Sequence, residues 1–136
     1  MNDLEQALFQ TMAAAKAVTD LLPNDEDDIH VDEAPQNATF PHIVFSKVSG
    51  VPAYSFAARE WEEFIYLVKG VDEGDSSKVA QALAEAVDDL LSDGSFTIPG
   101  HTLMYTRKLN DMPPLSERQD GTRYQCAALV ITTGTF

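Results

Sequence analysis

Apolar residues recur at intervals of three and four from the start of the chain: Leu4, Leu8, Met12, Ala15, Val18 and Leu22 share one helical face, and Pro23 ends the pattern. The spacing predicts a single amphipathic helix over residues 2–22. An acidic link, NDEDD, leads to a short strand over residues 29–33 and a loop, APQNATF. Pro41 then opens a firmer strand, HIVFSKVSG, because proline is tolerated at a strand's first residue and Ile43, Phe45 and Val48 favour extended backbone. Gly50 and Pro52 are expected to interrupt it, and Tyr54 and Phe56 fall in the outgoing half of a hairpin.

The next segment, REWEEFIYLVK, alternates differently. Phe64, Tyr66 and Val68 on one face and Ile65 and Leu67 on the other are all apolar, the pattern of a central strand buried on both sides. A second helix follows over residues 76–92, with Val79, Leu83, Val87, Leu90 and Leu91 inward and Lys78, Gln81, Glu85, Asp88 and Asp89 outward. After Pro99 and Gly100, HTLMYTRKL reads as a strand, NDMPPLSERQDG as a long loop, and TRYQCAALVITTG as the last strand. The order α-β-β-β-α-β-β gives an α+β class, with a mainly antiparallel sheet carrying helices on one face and one domain spanning residues 1–136.

The junction YLVKGVDEGDSSK has the strand–turn–helix layout of a phosphate-binding loop, but not its chemistry. Gly70 and Gly74 are too close for G-x-x-x-x-G-K-[ST], Asp75 stands where the lysine belongs, and Asp72 and Glu73 would repel a phosphate. The stretch reads as a turn into a helix capped by Asp75, Ser76 or Ser77.

Charge changes the picture more than composition does. Twenty-two acids against nine bases leave a formal charge of −13, which argues against general affinity for nucleic acid or an anionic membrane. The imbalance sits in the first hundred residues. The final third is nearly neutral and holds Arg107, Lys108, Arg118 and Arg123, candidates for ion pairing with an acidic neighbouring subunit. The acidic start and the short apolar runs give no signal peptide and no membrane span, so a soluble protein of a reducing compartment is expected. Cys126, the one cysteine, reads as a small buried residue.

No catalytic constellation emerges. His30, His42 and His101 lie on separate segments without zinc-ligand spacing, the acidic run lacks the glycine and terminal glutamate of an EF-hand, and SDGSF departs from the nucleophile elbow. No cofactor, metal or catalytic residue is assigned. Tyr54, Phe56 and Trp61 are core residues if taken singly and interface anchors if taken as a cluster. Met112, Pro113, Pro114 and Leu115 either reach outward as an inserted contact or fold back to cap their own sheet.

Together the N-terminal helix, FPHIVFSKV, EFIYLVKG, DSSKVAQALAEAVDDLL and the terminal RYQCAALVITTG resemble the tail-terminator, or tail-completion, proteins of long-tailed bacteriophages and prophages. The resemblance covers nearly the whole chain and rests on the pattern of apolar segments. It implies a non-enzymatic virion protein, assembled in the host cytoplasm, that forms a ring, commonly a hexamer, at the head-proximal end of the tail. Its partners would be further copies of itself, the tail tube protein and the head-completion or connector protein, and DNA would pass through without sequence-specific binding. The rival readings are a non-phage interaction module and a small α+β ligand-binding or enzyme domain with dispersed groups such as His42, His101 and Asp88.

Overall fold

The computed structural model describes residues 2–35, 38–55, 58–74, 76–92, 96, 98, 103–119 and 122–135. The N-terminal apolar stripe forms helix α1 (Asn2–Ala14) and a short α2 (Lys16–Thr19), and a 3-10 turn over Asp25–Asp28 leads into strand β1 (Ile29–Val31). Strands β2 (His42–Ser55) and β3 (Ala58–Glu73) form a long hairpin. Helix α3 (Lys78–Leu91) follows, and β4 (Leu103–Gln119) and β5 (Thr122–Thr135) form a second hairpin. The sheet order is β1-β2-β3-β5-β4, antiparallel except for the parallel β1–β2 pair, which fits the expected α+β class.

The three helices cover one face. Leu4, Leu8 and Met12 of α1 and Leu83, Val87 and Leu91 of α3 are each at most 1% exposed and pack with Ile43, Phe45, Tyr66, Val68, Leu129 and Ile131. Spacings of three and four on the helices, against two on the strands, are what bring these side chains to one layer. Gly70 is where α3 comes closest to the sheet: a Cβ there would lie 2.7 Å from the Ala80 carbonyl oxygen and 2.9 Å from the Leu83 Cβ. Gly74, at φ +146°, turns the chain from β3 toward α3, and its carbonyl accepts a 3.1 Å hydrogen bond from Gln125. The two glycines of the rejected phosphate loop thus serve packing and the turn.

Several sequence expectations are corrected. The first helix does not continue to residue 22, because Ala15 adopts extended backbone (φ −89°, ψ 115°). That bend lets Val18 and Leu22 reach the core from a new direction. Gly50 and Pro52 do not interrupt β2; the irregularity is absorbed as register shifts at Lys47/Ser49 and Ala53/Tyr54. Residues 110–119 are not a loop but the outer half of β4, paired from Asn110↔Val130 to Gln119↔Thr122. Pro113 and Pro114 are accommodated in a register shift between Met112 and Leu115 on an edge strand, where a missing N–H costs no ladder bond.

Helix α3 begins at Lys78, and its N-cap Ser77 makes no capping bond; the Ser77 hydroxyl instead accepts from Gln81 Nε2 at 2.6 Å. Ser76 Oγ accepts from the Lys78 amide at 3.3 Å, and Asp75 lies outside the described residues. Val79 is 37% exposed, and Ala80 takes the buried position expected of it. Cys126 is half-buried. Among the described residues, no helix is long and apolar enough to cross a membrane.

Candidate functional site

The sheet face opposite the helices is the main surface without a covering layer among the described residues. Strand geometry puts Ile65, Leu67, Lys69 and Val71 of β3 on this face, alternating with the core residues Phe64, Tyr66 and Val68. Their β5 partners in the register are Thr132, Val130, Ala128 and Cys126. All except Thr132 are half-buried, as neighbours on an open sheet are. An antiparallel sheet with one solvated face ordinarily alternates apolar-in with polar-out. Here the outward row is apolar as well, with Lys69 set among it.

Toward β1 the same face is closed by the chain itself. His42 and Val44 are 4% and 6% exposed. The Phe40 ring lies 4.9 Å from that of His42, and His42 Nδ1 is 3.1 Å from the Thr39 carbonyl oxygen. His30 approaches edge-on at 5.5 Å, so two of the three histidines converge, while His101 lies outside the described residues. Desolvation holds the His42 pKa below its ordinary value of 6.5; the Thr39 contact opposes this, His30 adds to it, and Asp28 opposes it. Asp28 is buried and accepts from the Asn24 amide at 2.7 Å. The cluster is a polar plug under the loop: among the described residues no group of three or more His, Cys, Asp or Glu could hold a metal.

On the helical side, a shallow groove between α2 and α3 is lined by Ala17, Ala82, Glu85, Ala86, Asp89 and Leu90. Elsewhere on α3, Asp88 is reached by Lys108 Nζ of β4 at 3.3 Å. Lys108 is therefore tied to an acid of its own chain, and Arg107, opposite Thr132, is exposed on the other face of β4.

The remaining sequence candidates are placed by strand register. Tyr54 pairs with Arg59, and Trp61 with Ala53, in the part of the β2–β3 hairpin that runs beyond the β3–β5 pairing, which stops at Glu62↔Thr135. Phe56 lies outside the described residues, as do the side chains of Tyr54 and Trp61. Met112 stands opposite Ala128 and Leu115 opposite Cys126, beside the open apolar rows; Pro113 and Pro114 fall in the register gap between them. Arg118 faces Arg123 near the tip of the second hairpin. The side chains of Met112, Pro113, Pro114, Leu115 and Arg118 are not among those described. Sequence reasoning missed Ile65, Leu67, Lys69 and Val130 as surface candidates, although the two-sided apolarity of β3 carried the signal.

An apolar sheet face and a long-hairpin architecture suit a protein that works by contact. The sequence matches the tail completion protein gp17 family over residues 6–112. The chain belongs to that family. Its role is accordingly structural, in a virion tail. No curated protein matches the sequence. Among solved structures, a chain from the virion of a native gene transfer agent particle superposes with a TM-score of 0.80 at 14% identity, covering 97% of this chain and 93% of the other. A second solved chain, 17% identical, gives a TM-score of 0.53 over 97% of this chain and 94% of its own length. At these identities the two structures speak to the fold. Family membership speaks to the tail.

Proposed function

We propose that this tail completion protein closes the tail tube as a ring of identical subunits, most simply six, at the head-proximal end. In that position it halts tube polymerisation and offers its free surface to the head's connector. Family membership over residues 6–112 is the observation that carries the reading. The likeness to a chain of a gene transfer agent virion supports it at the level of fold. Ring closure requires two different patches on one subunit that meet by rotation. An apolar sheet face on one side and a groove on the helical side support this reading as candidates for the two patches.

The reaction of a terminator is an encounter and not a chemical step. A growing tube end exposes the surface that would receive the next tube ring, and a cap competes for that surface. The excess of acids suits a channel lining that repels passing DNA, so that the genome slides without adhering. Purified tail tube protein polymerised with and without this protein tests the proposal by electron microscopy. Tubes should stop growing and carry a terminal ring when it is present. Continued elongation, with no density at either end, would overturn the proposal.

A further inference from the structure

We propose that the open face of β3 and β5 is the seat for the next copy of this chain, which presents the groove between its α2 and α3. The inference rests on the ring reading and names the surfaces that would build it.

Three observations lead to this occupant. The first is the breach of alternation. Ile65, Leu67, Val71, Cys126, Ala128 and Val130 form contiguous cross-strand rows, Leu67↔Val130, Lys69↔Ala128 and Val71↔Cys126, on a face that no helix covers among the described residues. An apolar patch of this kind on a soluble subunit marks a contact surface. The chain's own loop already closes the face over His42 and Val44, so what stays open is the strip along β3 and β5.

The second observation is complementarity. Lys69 is set in the apolar strip, and Arg107 stands at its β4 side opposite Thr132. The groove has the converse character: Ala17, Ala82 and Ala86 leave a low surface that another layer can approach closely, and Glu85 and Asp89 flank it. In a chain of net charge −13, a basic residue in an apolar strip is matched by acids beside an apolar groove. The strip mated with itself would instead bring Lys69 and Arg107 toward their own copies. A nucleic acid would meet an apolar floor on an acidic protein, which offers little to a phosphate backbone.

The third is placement. The strip lies on the outer side of the sheet and the groove on the outer side of the helical layer, so the two patches face away from each other through the subunit. Such a pair cannot satisfy itself in a two-fold dimer. It propagates head to tail and closes where the rotation allows.

The test uses the full chain and charge exchange. Lys69→Glu alone and the pair Glu85→Lys with Asp89→Lys alone should each weaken ring formation about tenfold or more, read by native mass over a concentration series and on preassembled tube ends. Combining all three substitutions should restore assembly to within about threefold of the parent. Leu67→Ser checks the apolar part without adding charge, and circular dichroism confirms that every variant is folded. If parent and single-site variants form rings equally well, this interface is wrong and the ring reading stands. If the combined variant assembles no better than its parts, the pairing is wrong in the same way. A parent chain that forms no ring, alone or on tube ends, overturns both.

Discussion

Gly70 is fixed by a contact and not by its dihedral angles. With 2.7 Å to a backbone oxygen and 2.9 Å to the Leu83 Cβ, an added methyl group can be housed only by moving α3 off the sheet. Gly70→Ala should therefore destabilise the fold by about 1–3 kcal/mol, read from the midpoint of urea unfolding at unchanged slope. His42 makes a prediction in pH. Its folded-state pKa lies below 6.5, so in acid the unfolded chain binds a proton that the folded chain resists. Its contribution is intact above pH 6.5 and is lost as pH falls from there through the lowered folded value. The groups facing the ring are His30, Asp28, Phe40 and the Thr39 carbonyl. Unfolding midpoints measured from pH 7.5 to 5 should fall less in His42→Phe than in the parent; equal slopes would show that the loss comes from other groups.

The elements carry a lesson about what prolines mean. In the one-dimensional pattern, NDMPPLSERQDG is punctuated like a loop, because two successive residues lack amide hydrogens and Gly121 follows. In the fold the segment is the outer half of an edge strand, and the prolines sit where pairing to β5 slips between Met112 and Leu115. At that position they lose nothing from the sheet and blunt a long edge against unwanted pairing. Replacing Pro113 with Thr and Pro114 with Val should leave the fold intact but raise aggregation, seen as concentration-dependent light scattering at neutral pH. Unchanged scattering would show that the edge is protected by other means. The same distinction governs β2, where Gly50 and Pro52 look like a break and are tolerated within a 14-residue strand. Helix α1 errs in the other direction. Its apolar period runs on past Ala14, while the backbone turns extended at Ala15, a break the helical period does not encode.

At the scale of the molecule, two hairpins form four of the five strands, and the helices fill only one of the sheet's two faces. A subunit of this design is incomplete in the sense that its outer strip resembles an interior. Tail completion supplies a setting in which such a surface is useful, because the proposed ring would bring the missing layer with assembly. The tube-elongation experiment belongs to this scale: it asks what the collective does, and a lone subunit's properties do not answer it. Charge belongs here as well. With 22 acids in each copy, the proposed ring would concentrate negative charge, and the proposed contact would set Lys69 where that repulsion is relieved.

Periods of 3.6 and 2 are local, so the sequence alone determined that α1 and α3 form, that Leu4, Leu8 and Met12 of the one and Leu83, Val87 and Leu91 of the other are buried, that β3 is central and that the class is α+β. It also carried the resemblance to tail-completion proteins, because that resemblance lies in the order of apolar segments. Ile65 and Leu67 are as apolar as Phe64 and Tyr66, which reads as burial on both sides; the structure corrects this, burying Phe64 and Tyr66 under the helices and leaving Ile65 and Leu67 half-buried on the other face. Only the tertiary structure decided which of those faces the helices take, that β1 lies parallel to β2, that Lys108 is engaged by Asp88 of its own chain, and that Glu85 and Asp89 frame a groove. The physical reason is separation along the chain. Helical and strand periods are set by neighbours a few residues apart. The layer that covers a face, the partner of a charge and the tolerance of a proline are set by residues brought together from distant segments.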